Sequence, residues 1–386
     1  MPSIGAAADK GYSEMSVTTS VAVTTAARVR GCLLGGAIGD ALGAPVSHLS
    51  LTEIRRLLGP RGVTGFVYDG RGRISADTQM AMFTTEGLLC AWVHGQIHDP
   101  HETLRAIHAA YVRWALTQDE PPDRADIQIR AEGWLLDVPG MHSRHLLCTD
   151  CRSTLMSTEH LGIIPAAAAG KEGCVGLLTR VAPVGLFAPT IGSDEAVFDL
   201  AANVAGLTHD NPIGRLAAGY FAVVMAGLAR GESLAAALDS ASRLLEGREG
   251  GKETCDAIAA ARSAAARPDL SAEALEILGE GRGVSAALAV GICCAIAART
   301  FSEGALLAAN HSGTSASTAA ITGNMLGAML GYDALPPDWV ISLRLRHEIA
   351  RLADDLDGAA INAMNLAVLC DPYTGNKGAE RKRPKR

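Results

Sequence analysis

The sequence predicts an all-α protein built as a single compact multi-helix domain, and three observations favour this fold class. Hydrophobic residues make up 48% of the 386-residue chain, which is enough for a sizeable core. Aromatic residues reach only 4%, and Ala and Gly dominate the apolar set, which favours closely packed helices over a β-sandwich. Strand-like runs are few and short, and no Pro- and Gly-rich linker divides the middle of the chain.

Helical periodicity and capping residues place the helices along the chain. The first covers 29–46, and Gly43 and Pro45 mark its end. The second, 50–59, begins at a Ser or Thr cap and stops at Gly59. The remaining predicted helices cover 79–95, 100–117, 194–206, 213–230, 233–246, 284–299, 315–331 and 339–354.

The two ends of the chain differ in composition from the middle. Residues 1–26 are rich in Ser, Thr, Ala and Gly and carry no signal-peptide pattern, which predicts a disordered N-terminal tail. Residues 373–386 are polar and basic, which predicts a second disordered tail. Contact with nucleic acid or an acidic partner is the alternative for this second segment. The predicted all-α domain is therefore 27–372.

Charge and cysteine usage limit the classes of partner. The net charge of −7 gives no global basic field, so we expect no nucleic-acid ligand. The longest uncharged apolar run, 283–298, is shorter than a membrane span, so we expect a buried helix there and no membrane partner. Nine scattered cysteines do not form a disulfide framework, which favours a reducing cytoplasm.

A glycine repeat marks the first of three junctions between a polar loop and an apolar helix. In GGAIGDALGAPVS (35–47), Gly35, Gly39 and Gly43 recur every four residues and lie along one helix face. Glycines on one face predict the close approach of a second helix. Asp40 in this apolar helix requires a polar partner, because burying an unpaired carboxylate is costly.

The other two junctions are GRISADTQMAMFTTEGLL (72–89) and NHSGTSAST (310–318). Their Ser, Thr and Asp residues are ordinary helix caps. Helix N-termini also expose unpaired N–H groups, so several that converge form an anion site, and phosphate or ribose binding is the alternative.

The stretch HSRHLLCTDC (142–151) offers possible zinc ligands at a spacing of three residues: His142, His145, Cys148 and Cys151. On one helix these side chains would spread around the axis rather than close on one ion. The spacing therefore favours surface or packing roles, with zinc as the alternative.

Taken in order, five segments resemble the ADP-ribosylglycohydrolase family over nearly all of residues 28–354. The segments are RGCLLGGAIGDALGAPV (30–46), SADTQM (75–80), TRVAPVG (179–185), THDNP (208–212) and NHSGTSASTAAITGNMLGA (310–328). The resemblance implies an all-α fold and, in a typical active member, two Mg²⁺ or Mn²⁺ ions beside the scissile ribose.

The resemblance also identifies the family-equivalent metal positions, which are Ser75, Ala76, Asp77, Thr314, Ala316 and Ser317. Neutral residues replace three acids of the family pattern, at Ala76, Thr314 and Ala316. Ser47 stands where the family has a catalytic Glu, so Asp77 alone remains acidic and is the one catalytic candidate if the chain is active. Protein sites hold Mg²⁺ with carboxylates, and each supplies roughly 4 kcal/mol of raw attraction at ~4 Å. We therefore expect no metal pair and at most one weakly bound Mg²⁺ at Asp77.

The resemblance further implies ligand-binding roles at Ser47, Gly176, Arg180, His209, Gly313 and Ser315. The family's Gly-Asn pair before Gly176 is replaced by Cys174 and Val175, so we expect nucleotide binding to be weakened or retuned. For Arg180 and His209 the alternative is internal hydrogen bonding between helices.

These expectations describe an ADP-ribosylglycohydrolase-like protein that is a catalytically impaired pseudo-hydrolase. Its partner would be ADP-ribose, a related ribosyl ligand or an ADP-ribosylated protein, bound in the family cleft. One alternative is an active, metal-poor or metal-independent hydrolase of an N- or O-ribosyl bond. The other is a structural or interaction scaffold.

Overall fold

The computed structural model describes residues 22–118, 132–168, 174–279, 281–361 and 373–374. Within these ranges helices dominate and no strand is found, and an isolated β-bridge joins Gly72 and Leu343. The all-α prediction is confirmed.

The α-helices of the described residues, in chain order, are α1 (Thr25–Gly43), α2 (Leu51–Leu58), α3 (Ala76–Val93), α4 (Pro100–Thr117), α5 (Thr149–Met156), α6 (Gly176–Thr179), α7 (Ala182–Leu186), α8 (Ala188–Ile191), α9 (Asp194–Gly206), α10 (Pro212–Ala229), α11 (Leu234–Glu246), α12 (Lys252–Ala265), α13 (Ala272–Leu275), α14 (Val284–Ala297), α15 (Phe301–Ala309), α16 (Ser315–Leu330), α17 (Pro337–Ser342) and α18 (Arg346–Ala360). Short 3₁₀ turns occupy Ala44–Val46, Leu135–Asp137, Pro139–His142, Ala166–Ala168, Glu276–Leu278 and Tyr332–Ala334.

The close packing of α1 on α16 forms the centre of the core. A Cβ added to Gly39 would lie 2.0 Å from the carbonyl oxygen of Ala319, and one added to Gly43 would lie 2.1 Å from that of Ser315. Real side-chain atoms do not approach backbone oxygens so closely, so only glycine permits this helix pair. The second helix predicted from the glycine repeat is therefore α16.

The predicted helix 339–354 is wrong as a single element, because the chain breaks between α17 and α18. Leu343 is buried, and the neighbouring Arg344 donates its backbone N–H to the carbonyl oxygen of Gly72 at 2.9 Å. Leu345 has a φ of 60°, in the left-handed region. The contact with Gly72 is distant in sequence, so helical periodicity carries no sign of it. The predicted helices do not include α5 to α8, α12, α13 or α15.

Among the described helices, α10 is the one whose length and hydropathy would suffice to cross a membrane. Of this 18-residue segment, 78% is buried inside the fold. A helix that is apolar on all sides and enclosed by protein is typical of a core, and one such helix is weak evidence for a span.

The predicted tails fall almost wholly outside the described residues. Helix α1 begins at Thr25, with Thr24 as its cap. Tyr373, the first residue of the predicted basic tail, is fully buried. Its hydroxyl donates to Asp355 Oδ2 at 2.6 Å and accepts from Trp134 Nε1 at 3.1 Å. Core packing therefore includes this residue.

Candidate functional site

A buried carboxylate on α1 positions the N-terminus of α3. Asp40 is fully buried, and its Oδ2 accepts the backbone N–H of Ser75 at 2.7 Å and the hydroxyl of Thr78 at 2.5 Å. Its Oδ1 has no hydrogen-bond partner among the described residues. These bonds supply the partner that the sequence required for Asp40, and they orient the first turn of α3.

The charge state of Asp40 follows from this environment. Burial raises the pKa of Asp40 to about 7, and the nearby carboxylate of Asp77 adds to the rise. The hydrogen bonds from Thr78 and Ser75 oppose the shift, but they do not offset the loss of solvent.

Ser75 caps α3, as predicted. Its hydroxyl oxygen accepts the backbone N–H of Asp77 at 3.1 Å. The next residue, Ala76, is buried and donates its backbone N–H to the carbonyl oxygen of His145 at 3.1 Å. The start of α3 is therefore held from both α1 and the segment around His145.

The polar loop before α16 uses its hydroxyl groups internally. Helix α16 begins at Ser315, and Thr314 precedes it without capping it, so the cap predicted there is wrong. The Thr314 hydroxyl donates instead to the carbonyl oxygen of Gly281 at 2.6 Å. The Ser315 hydroxyl donates to the carbonyl oxygen of His311 at 3.0 Å. These bonds tie the loop to its own turn and to the loop before α14.

Gly313 joins this loop to the end of the first junction. It has a φ of 102°, a conformation that favours glycine. Its carbonyl oxygen accepts the N–H of His48 at 2.5 Å, and its N–H donates to Leu49 at 3.1 Å. The pairing places Ser47, which follows the 3₁₀ turn after α1, beside the N-terminus of α16.

Asp77 lies where α3, α6 and α16 meet. Its Oδ2 accepts the hydroxyl of Ser317 at 2.5 Å. On the other side, a Cβ added to Gly176 would lie 2.0 Å from Asp77 Oδ1, so only glycine leaves room for the carboxylate. Burial raises the pKa of Asp77, although the Ser317 hydrogen bond and the guanidinium of Arg180 oppose that rise.

A cleft of about 470 Å³ opens above these residues. Its lining residues are Ser47, His48, Ser75, Asp77, Leu146, Leu147, Cys148, Cys174, Val175, Gly176, Arg282, Gly283, Thr314, Ala316 and Ser317. The volume lies within the range usual for small-molecule sites. Among these lining residues Asp77 carries the one carboxylate. The structure thus brings together Ser47, Gly176 and most of the family-equivalent metal positions.

The other predicted ligand-binding residues lie behind the cleft wall. Arg180 is buried, and it donates from Nε to Gly176 O at 3.1 Å and from Nη1 to Thr208 Oγ1 at 2.9 Å. His209 is buried as well, with Nδ1 3.0 Å from Thr208 Oγ1. Gly313 and Ser315 belong to the buried loop. All four support the wall, and none is among the lining residues of the cleft.

Three cysteines meet at one side of the cleft. The sulfur atoms of Cys148, Cys151 and Cys174 all lie within 4.8 Å of one another. The Arg180 guanidinium donates from Nη2 to Cys151 Sγ at 3.3 Å, and His209 Nδ1 lies 3.9 Å from the same sulfur. Burial opposes ionisation of Cys151, but hydrogen bonds from the other two thiols and the charge of Arg180 hold its pKa well below its usual range.

Sequence reasoning missed several cleft residues. His142 and His145 do not join the cysteines, because their ring nitrogens face the carbonyl oxygens of Leu136 and Ile74. In the sequence Cys174 stands only at a departure from a family segment, and nothing there marks it as a cleft residue. Arg282 lines the cleft although the sequence marks it only as the residue before an apolar run. No local pattern signals either role, since both depend on where distant segments pack.

The fold and the cleft define an all-α protein with a cleft where several helix N-termini converge on one carboxylate. A sequence profile described as ADP-ribosylglycohydrolase matches residues 22–365 of the chain. The chain belongs to the ADP-ribosylglycohydrolase family, which is associated with ADP-ribose-linked substrates.

Comparison with solved structures agrees with this assignment at the level of the fold. A structure described as an ADP-ribosylglycohydrolase-related protein complex is similar, with a TM-score of 0.53 and 24% sequence identity. The similarity covers 87% of this chain and 99% of the other. No curated protein matches the chain.

Proposed function

We propose that this chain is a catalytically impaired member of its family that binds ADP-ribose or a related ribosyl ligand in the Asp77 cleft. One observation carries the proposal: the cleft has a volume of about 470 Å³ and is bordered by the N-termini of α3 and α16, but it holds a single carboxylate among its lining residues. An ADP-ribosylated protein would present the same ribosyl group and is the macromolecular partner we expect. We place the protein in a reducing cytoplasm, in keeping with its free thiols.

The donor atoms at the family-equivalent metal positions do not fit a pair of Mg²⁺ ions. Ala76 and Ala316 supply no side-chain oxygen, and the Thr314 hydroxyl is engaged with Gly281. Asp77 already accepts the Ser317 hydroxyl. Because Mg²⁺ gives up its waters reluctantly and relies on carboxylates, this set would hold at most one weakly bound, largely hydrated ion.

The geometry supports anion and ribose binding without metal. The N-termini of α3 and α16 border the cleft, and Arg282 lines it beside Gly283. Backbone N–H groups at helix starts, together with a guanidinium, are suited to phosphate groups. An open cleft of this size also favours ligand binding over the scaffold alternative.

Calorimetry tests the ligand. We expect ADP-ribose, ADP or ribose 5-phosphate to bind the chain, and Ser47→Trp to weaken that binding by about tenfold or more, a loss of about 1.4 kcal/mol. Ser143→Trp is the matched control, because Ser143 lines a separate cavity of about 450 Å³. If no ligand in this panel bound the unmodified chain, the ligand proposal would be wrong and the scaffold alternative would remain.

One observation favours a second candidate function, an active hydrolase of a ribosyl bond that works without the metal pair. The raised pKa of Asp77 brings its carboxyl group closer to the pKa range useful for proton transfer near neutral pH. Turnover of ADP-ribosylated protein or of small ribosides, unchanged by Mg²⁺ and abolished in Asp77→Asn, would establish this activity. Absence of turnover in the unmodified chain supports the impaired form.

A further inference from the structure

We propose that Cys148, Cys151 and Cys174 form a binding site for one thiophilic divalent metal ion, with zinc as the biological candidate, on the wall of the Asp77 cleft. The inference stands apart from the proposed function, because it concerns a metal of different chemistry at different residues. A chain that bound ADP-ribose but no zinc would overturn only this inference.

The spacing of the sulfur atoms fits one ion. Each pair of the three sulfurs is separated by no more than 4.8 Å. A Zn–S bond is about 2.3 Å long, so two sulfurs of a tetrahedral site lie about 3.8 Å apart. A movement of each sulfur by less than about one ångström brings all three thiols into coordinating distance.

Local structure presents two of these sulfurs together. Cys148 precedes α5 and Cys151 lies in its first turn, where the Cys151 backbone N–H donates to Cys148 Sγ at 3.4 Å. The third, Cys174, lies just before α6. In the sequence, the residues closest to the CxxC pair that could bind zinc are His142 and His145, and the rings of both face backbone carbonyl groups instead. The sequence therefore did not indicate that Cys174 joins the pair.

Charge around the cluster also suits bound thiolates. Three thiolates and a divalent cation carry a net charge of −1. The Arg180 guanidinium, only 1% exposed, lies 3.3 Å from Cys151 Sγ and offsets that charge. A hydrogen-bond donor in this position is the outer-sphere support that metal ligands usually have. On binding, the metal replaces the protons on sulfur, which pass to the buffer.

The fourth coordination position faces the cleft. Cys148 and Cys174 both line it, and Gly176, two residues after Cys174, lies against the carboxylate of Asp77. Three protein ligands with an open position are typical of zinc sites that take water or a ligand oxygen, whereas structural sites are closed by four. The ion would therefore lie within reach of a ligand bound beside Asp77.

Cobalt and zinc titrations test the site. The full chain, purified with reductant and stripped of metal, should bind one equivalent of Co²⁺ with thiolate-to-cobalt charge-transfer absorption, and Zn²⁺ should displace it. Cys148→Ser and Cys174→Ser each replace a partly exposed side chain, so we expect both variants to fold. Each variant should bind Co²⁺ and Zn²⁺ about a hundredfold or more weakly than the unmodified chain. A loss of this size exceeds the usual effect of changing a residue that only supports a metal ligand. Cys255→Ser, on α12 and outside the cluster, is the matched control and should bind like the unmodified chain.

Three results would overturn the inference. The first is the absence of stoichiometric Co²⁺ or Zn²⁺ in the reduced chain. The second is unchanged binding in both Cys148→Ser and Cys174→Ser, with circular dichroism showing that the variants fold. The third is a disulfide between two of the three cysteines, found by mass spectrometry in chain kept under reductant, because it would remove two of the ligands.

Discussion

At the scale of single residues, the cleft is defined by the one carboxylate among its lining residues and by the groups that hold it in place. Asp77 is held by the Ser317 hydroxyl and by the absence of a side chain at Gly176. Ala76 and Ala316 supply no side-chain oxygen there. Under the proposed function, the attraction for a divalent cation in the cleft comes from the carboxylate of Asp77 alone among the lining residues.

Restoring the acids tests this argument. The triple variant Ala76→Asp, Thr314→Asp, Ala316→Asp should bind Mn²⁺, seen by electron paramagnetic resonance, whereas the unmodified chain should not bind it stoichiometrically. Without metal the variant should be less stable, by roughly 3 kcal/mol or more, because uncompensated carboxylates in a shared pocket repel and lose solvent. Mn²⁺ should recover that stability.

The control for this variant is the triple Asn substitution at the same three positions, which has nearly the same volume and no charge. It should bind no Mn²⁺. Two tightly bound Mn²⁺ ions in the unmodified chain would contradict the interpretation that the Asp77 cleft has too little negative charge to hold a pair of metal ions.

At the scale of helices, the glycine face of α1 places the three junctions next to one another. Backbone contact along α1 and α16 brings Gly43 against Ser315, the first residue of α16. From the same helix, Asp40 reaches Ser75 and Thr78 at the start of α3. One helix therefore aligns the two helix starts that border the cleft.

A matched pair of glycine substitutions tests this packing. In Gly39→Ala the new methyl group would meet the Ala319 carbonyl at 2.0 Å, and we expect a loss of about 3 kcal/mol, the upper part of the usual cost of overpacking. At Gly247, which ends α11, the nearest atom is 3.7 Å away, so Gly247→Ala should change stability by about 0.5 kcal/mol or less. Denaturant unfolding measures both, and equal effects would argue against a close helix pair.

At the scale of the whole molecule, the fold buries the carboxyl group of Asp40, and this links stability to pH. The folded pKa of Asp40 is about 7, above its ordinary value of 3.8. A raised folded pKa means that the folded state holds the proton more tightly than the unfolded chain. The contribution of Asp40 to stability is therefore complete at pH values below its ordinary pKa. This contribution is lost as the pH rises through the pKa of Asp40 in the folded state.

Asp40→Asn should remove this dependence. The amide keeps an oxygen to accept the bonds from Ser75 and Thr78 but has no charge to bury. We compare the free energy of unfolding of the variant with that of the unmodified chain. Between pH 4 and pH 7 this difference should shift in favour of the variant by on the order of 3 kcal/mol, because each pH unit contributes about 1.4 kcal/mol. Urea unfolding at a series of pH values measures the difference. Parallel curves for the two proteins would mean that Asp40 is ionised in the folded state throughout this range.

Much of the fold could be predicted because its signals are local. Apolar periodicity and caps predicted most of the helices that border the site, and the glycine repeat predicted a close helix partner without identifying it. The cap at Ser75 was predicted correctly, whereas Thr314 bonds to Gly281 instead of capping α16. That bond joins two loops far apart in the chain, and no spacing within either loop reports it.

The sequence by itself determined the all-α class and the family, because both depend on residue type and order along the chain. The tertiary structure alone decided that Cys174 joins Cys148 and Cys151, that Arg180 lies behind the cleft wall and that Asp40 anchors α3. These outcomes depend on how distant segments pack and which groups lose water together, and such contacts leave no periodic trace in the sequence.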